Sequence, residues 1–198
     1  TNITTGEAAR FLLQAALSAS DADISAVQAK GYAGWLDEQM SMPSHTTGWD
    51  WLMAQGYNRL DVRYNGQYAD FMMWNQLIAA SDSVRKRVAL AWSESLVVST
   101  SSIEGDTPSF AMAAYWDLLN RNVFGNYRQL LQEITLNPAM GAYLNTRGNQ
   151  KENPATGRVP DENYAREVMQ LFSVGLYQLN PDGSLRGGNA PETSGPAD

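Results

Sequence analysis

Apolar residues recur along most of the chain at the spacing of amphipathic α-helices. The first stripe, Ala8, Phe11, Leu12 and Ala15, follows Thr4-Thr5-Gly6-Glu7, a sequence with the spacing of a helix-capping box. The pattern predicts an all-α fold, an irregular multi-helix domain of about eight or nine helices with long loops.

Glycine, proline and capping residues mark the predicted helix boundaries. Gly31 separates two helices, and Thr107-Pro108 combines an N-cap with proline at the first helical position. The longest predicted loop, residues 145–160, is rich in glycine, proline and amide side chains. A loop of this length within a compact domain is usually either functional or disordered.

The end of the chain lacks a core pattern. Asn180-Pro181-Asp182-Gly183 superficially resembles a calcium loop, but it lacks the repeated acids and the distal glutamate of an EF-hand, so a plain turn is favoured. Residues 1–182 are therefore interpreted as a single helical domain, and residues 183–198 as an irregular tail or connection.

Charge restricts the classes of function. A net charge of −7 argues against nucleic-acid binding, which requires a basic face. The basic run Arg85-Lys86-Arg87, on a helix predicted over residues 84–98, is interpreted as a solvated face. No run of apolar residues is long enough to predict a transmembrane segment.

Cysteine is absent, and His45 is the single histidine. A histidine-rich zinc site is therefore excluded, and we expect no metal and no cofactor. His45 lies in a turn-like stretch and is interpreted as an exposed loop residue.

The helix predicted over residues 161–174 carries the strongest candidate chemistry. Glu162 and Arg166 are four residues apart and are neighbours on one face, while Asn163 and Glu167 lie along an adjacent stripe. In a functional interpretation, Glu162 and Glu167 form a catalytic carboxylate pair that hydrolyses a glycosidic bond. In the favoured structural interpretation, Arg166 and Glu167 form buried or half-buried ion pairs that fix the helix against its neighbours, which makes it the organising helix of the domain.

Three further side chains are candidates for binding or structural roles. Glu94 lies within an otherwise apolar helix and is expected to need a cationic partner, for which Arg166 or Arg121 would serve. Trp49 and Trp51 lie in an irregular segment and are the best candidates for an exposed aromatic platform.

Several blocks of the chain resemble one bacterial family. They are residues 8–15, 31–39, 87–94, 115–119, 124–127 and 136–140, and the most specific block is Pro160-Asp161-Glu162-Asn163-Tyr164-Ala165-Arg166-Glu167. Together they resemble the family catalogued as domain of unknown function 1800. The resemblance implies a larger bacterial protein, often exported, of which this chain would be the N-terminal portion, and it implies no particular activity.

Two functions from different classes follow from these observations. The leading expectation is an exported bacterial domain, located in the periplasm, at the cell surface or outside the cell. Its expected role is structural or binding, with a polysaccharide or a protein as the partner. The alternative is a hydrolase of an extracellular polymer that uses Glu162 and Glu167. Self-association through the aromatic surface is a third expectation.

Overall fold

A computed structural model describes residues 2–103, 105 and 107–186 of the chain. Within these residues the fold is all-α, as the hydrophobic pattern predicts, with nine α-helices and no strand. The helices are α1 (Thr5–Ala15), α2 (Asp21–Ser41), α3 (Gly48–Ala54), α4 (Tyr68–Ala79), α5 (Ser83–Ser95), α6 (Pro108–Asn122), α7 (Tyr127–Thr135), α8 (Pro138–Tyr143) and α9 (Asn163–Gln170). No described helix is both long enough and apolar enough to cross a membrane. Residues 183–186 of the predicted tail are described, and Leu185 forms an isolated antiparallel bridge with Leu179. The rest of the predicted tail, residues 187–198, lies outside the described residues.

The α6 helix is the centre of the molecule. It contacts α3, α4, α5, α7 and α8, and residues on every side of it are buried, including Phe110, Tyr115, Trp116 and Leu119. A helix that is apolar on all sides is typical of one surrounded by other elements. Thus α6, rather than the predicted helix at residues 161–174, organises the domain.

A smaller core joins α1 to α2 and to the start of α5. Leu12, Val27, Trp35 and Val84 are among its buried side chains. The α2 helix bends at Gly31, whose φ of 74° is outside the helical range. The break predicted at this glycine is therefore confirmed as a kink between two helical halves.

The α9 helix lies against α7 at the edge of the main core. Tyr164 and Phe172 are buried there, and the hydroxyl groups of Tyr164 and Thr135 are 2.7 Å apart. Tyr127 Oη also donates to the carbonyl of Phe172. These contacts confirm an apolar stripe on this helix, but the helix is shorter than the predicted range of residues 161–174.

A buried charge cluster joins α5 to α6. Lys86 is only 1% exposed, and its Nζ lies 3.3 Å from Asp82 Oδ2 and 3.0 Å from Asn120 Oδ1. Asp82 is fully buried. The interpretation of Arg85-Lys86-Arg87 as a solvated face is therefore wrong for Lys86, and Arg85 is half-buried, while Arg87 is exposed.

Polar side chains of this cluster fix the connection between α2 and α3. Asp82 accepts a hydrogen bond from the backbone N–H of His45, and Arg85 donates to the carbonyl of Met42. Asp117 of α6 accepts the N–H groups of Gly48 and Trp49 at 2.7 and 3.0 Å. The first backbone N–H groups of a helix have no acceptor within the helix, and Asp117 supplies one for α3. This contact sets the position of α3.

Candidate functional site

The loop at residues 145–160 is fixed by its own hydrogen bonds. It begins at Asn145, whose φ of 60° ends α8 in the left-handed region. The Asn149 side chain then donates to the carbonyl of Asp161 at 2.7 Å and accepts from its N–H at 2.9 Å. Asn153 and Arg158 form an isolated antiparallel bridge between these points. The loop is thus a hairpin-like structure with both ends fixed.

Three adjoining cavities lie along this loop and the end of α8. Their volumes are about 510, 260 and 410 Å³. Arg147 lines all three, and Ala142, Asn145 and Gly148 each line two of them. We call the three cavities together the polar groove. Each of the two larger cavities has by itself the volume of an ordinary ligand site.

Arg147 is the distinctive residue of the polar groove. Its backbone N–H donates to the carbonyl of Gly141 at 2.8 Å, which ties the residue to α8. Its exposed guanidinium forms no hydrogen bond or ion pair with the described part of the chain. Arg158, by contrast, donates to the carbonyl of Lys151 and to Gln150 Oε1. Arg147 therefore presents a planar set of donors to solvent inside a concave surface.

The other groove residues supply neutral hydrogen-bonding groups and one aromatic ring. Those with polar side chains are Ser102, Thr107, Tyr143, Asn145, Asn149 and Gln150. Asp161 also lines the groove, but its Oδ1 already accepts the N–H of Asn163. Two arginines against one aspartate make the described lining locally basic, although the chain as a whole carries a net charge of −7. Such a surface suits a ligand with hydroxyl groups and an anionic group.

The two candidate catalytic acids lie outside the polar groove. Glu162 is exposed and forms an ion pair with Arg166 on the surface of α9. Glu167 is half-buried, and its buried Oε2 has no hydrogen-bond partner in the described chain. Asn163 is half-buried at the first position of α9. The predicted pairing of Glu162 with Arg166 on one face of the helix is confirmed. The ion pair expected of Glu167, which was to fix the helix against its neighbours, is not present among the described residues.

Glu94 does not form the expected ion pair. It is exposed at the end of α5, and the two arginines proposed as partners are engaged elsewhere, Arg121 with Glu133 and Arg166 with Glu162. The prediction failed because the last turn of α5 exposes Glu94 to solvent, where a carboxylate needs no cationic partner.

Trp49 and Trp51 do not share one face. Residues two apart on a helix point in different directions, and both belong to α3. Trp49 is exposed on one side and packs edge-on against Phe110, with the ring centroids 4.8 Å apart. Trp51 is half-buried beside Tyr57 and the main core. Of these two tryptophans, only Trp49 therefore presents an exposed aromatic surface.

The sequence indicated the loop of the polar groove but not its central residue. Loop length and composition singled out residues 145–160 as functional or disordered, whereas Arg147 carried no motif. The one available signal was that no acidic residue lies near Arg147 in the sequence, so that its guanidinium has no local partner. Ser102 and Thr107 reach the groove from distant positions, so their participation depends on tertiary packing.

Fold and site together define an all-α domain with a concave polar surface on one loop. The chain matches the family described as Protein of unknown function (DUF1800) over residues 10–188. It belongs to this family. No curated protein and no solved structure matches the chain.

Proposed function

We propose that the protein is an exported or cell-surface bacterial domain that binds an acidic polysaccharide in the polar groove. The observation that carries the proposal is the guanidinium of Arg147, which lines all three cavities and has no partner in the described chain. Arginine matches the geometry of a carboxylate through two parallel hydrogen bonds. A uronic acid unit would supply that carboxylate.

The neighbouring groups support a sugar ligand over a simple anion. Amide and hydroxyl side chains, such as those of Asn145, Gln150 and Ser102, can both donate to and accept from sugar hydroxyls. The half-buried ring of Tyr143 offers an apolar face. Three adjoining cavities offer space for more than one unit of a polymer. Binding, rather than catalysis, is the activity that these groups favour.

Calorimetric titration with an oligomer of galacturonic acid tests the proposal, with neutral dextran as the comparison ligand. R147Q is expected to weaken binding by roughly tenfold or more, because a hydrogen bond to a charged group contributes about 1.5–3 kcal/mol. R128Q is the matched control, since Arg128 is another exposed arginine without an ion pair but lies on α7. Equal affinity of R147Q and R128Q, or no binding by the wild type, would overturn the proposal.

The alternative remains a polymer hydrolase that uses Glu162 and Glu167. The unpartnered carboxylate oxygen of Glu167 is the observation in its favour, because buried acids without partners are costly and are common at active sites. Release of reducing ends from the same oligomer measures this activity. Turnover by the wild type that E167Q abolishes, with folding retained, would favour the hydrolase over the binding domain.

A further inference from the structure

A second groove, between α4 and α5, is apolar and separate from the polar groove. It consists of two cavities of about 530 and 310 Å³ that share Met73 and Leu90. We call it the apolar groove. The outer cavity is lined chiefly by Leu17, Met73, Trp74, Leu77, Ile78 and Leu90. Its size and lining are those of a ligand site rather than of a shallow surface patch.

The α4 helix is apolar on two faces, of which only one is covered. Ala69 and Met72 pack into the core, whereas Trp74 and Ile78, four residues apart on another face, are 64% and 70% exposed. A helix with apolar residues around its circumference is normally surrounded by other elements. Exposed apolar surface of this extent marks an interaction site on a folded protein.

Two carboxylates line the apolar groove. Asp70 is in the first turn of α4 and Glu94 is in the last turn of α5, and each lines one of the two cavities. Both are exposed, and neither has an ion pair in the described chain. No lysine or arginine of the described chain lines either cavity. The charged groups along the groove are therefore acidic.

We propose that the apolar groove binds an apolar peptide segment of a partner protein that carries a lysine or arginine near one end. The apolar side chains of the segment would fill the two cavities. Its cation would pair with Asp70 or Glu94. A peptide combines apolar side chains with a cation, whereas an acyl chain lacks the cation. This inference does not depend on the polar groove or its ligand.

Fluorescence titration with a short amphipathic peptide of leucine and lysine tests the proposal, because Trp74 reports directly on the groove. The same peptide with glutamate in place of lysine is the charge control. We expect the lysine peptide to bind and the glutamate peptide to bind at least tenfold more weakly. I78E should reduce the affinity of the lysine peptide at least tenfold. L136E is the matched control, because Leu136 is similarly exposed but lies outside the groove.

The double variant D70N/E94Q tests the acidic lining, and D37N/E152Q removes the same charge from exposed positions elsewhere. The first is expected to weaken binding of the lysine peptide roughly three- to tenfold, and the second to leave it nearly unchanged. Thermal unfolding checks that each variant is folded. Equal binding of the two peptides, or equal effects of I78E and L136E, would overturn the proposal. A wild-type dimer in sedimentation that I78E dissociates, without peptide binding, would instead assign the groove to a second copy of the chain.

Discussion

At the scale of single residues, the buried charges of α5 show what the sequence pattern concealed. The buried stripe of this helix begins with Asp82 and Lys86 and continues through Ala89 and Leu96, at helical spacing. Its first two members are charged, so a search for apolar positions assigns the core face to neighbouring residues. Asp82 and Lys86 are four residues apart, so they are neighbours on one helix face and can pair with each other. This spacing was the sign in the sequence that both could be buried.

Replacing Lys86 measures how much the buried pair matters to the folded state. K86M keeps a long side chain but leaves the buried carboxylate of Asp82 with Arg85 at 3.5 Å as its remaining cation. We expect the free energy of unfolding to fall by about 3 kcal/mol, because breaking a buried ion pair strands a charge. R87M, in the exposed neighbour, should change it by less than about 0.5 kcal/mol. Urea unfolding compares the two, and similar values for both would contradict burial of Lys86.

The pKa of Asp117 predicts how the stability of the protein depends on pH. Burial raises the pKa of this carboxyl above its ordinary value of 3.8, an effect that hydrogen bonds from Trp49 and Gly48 and the charge of Lys86 oppose. Between the unfolded and the raised folded pKa, the folded state binds more protons than the unfolded state. The contribution of Asp117 to stability therefore falls as pH rises through that window.

The variant D117N isolates this contribution, because asparagine does not titrate. The free energy of unfolding of the wild type minus that of D117N should decrease as pH rises from about 3.8 through the weakly acidic range. Urea unfolding at a series of pH values measures the difference. A difference that grows with pH would mean that the pKa of Asp117 is depressed rather than raised.

At the scale of elements, local capping chemistry made most helix starts predictable. Thr4 and Glu7 form the expected capping box, Pro108 opens α6, and Asn126 caps α7. The end of α9 was less predictable. Phe172 N–H donates to the carbonyl of Glu167, which departs from α-helical hydrogen bonding before the predicted end at residue 174. Tertiary contacts with α7, rather than local preference, set that end.

Two glycines in α2 give a matched test at this scale. Gly31 has a φ of 74° and a ψ of 168°, a combination that is essentially restricted to glycine, with open space where a Cβ would lie. G31A should therefore cost about 1–3 kcal/mol through backbone strain alone. Gly34 has helical geometry and ordinary contacts, so G34A should stabilise the protein by about 0.5–1 kcal/mol. Thermal unfolding of the two variants measures these opposite shifts. If G31A were neutral, the kink would not be a fixed feature of α2.

At the scale of the whole molecule, the fold class was predictable, whereas the arrangement of the candidate site was not. Helical periodicity is local, so an all-α chain follows from residue spacing alone. The polar groove depends on how Ser102, Tyr143 and Arg147 meet in the folded chain. Glu162 and Glu167 belong to the most specific sequence block, whereas the concave polar surface lies on the loop that precedes them. Family membership relates the chain to other proteins without assigning it an activity.

The polar groove is the central claim, and chemical-shift mapping by NMR tests it most directly. With an oligomer of galacturonic acid added to the isotope-labelled protein, the account predicts saturable shifts at Asn145, Arg147, Gly148 and Asn149. In R147Q these shifts should largely disappear, while R128Q retains them. Shifts confined to Glu162 and Glu167, or none that saturate, would contradict the assignment of ligand binding to the groove around Arg147.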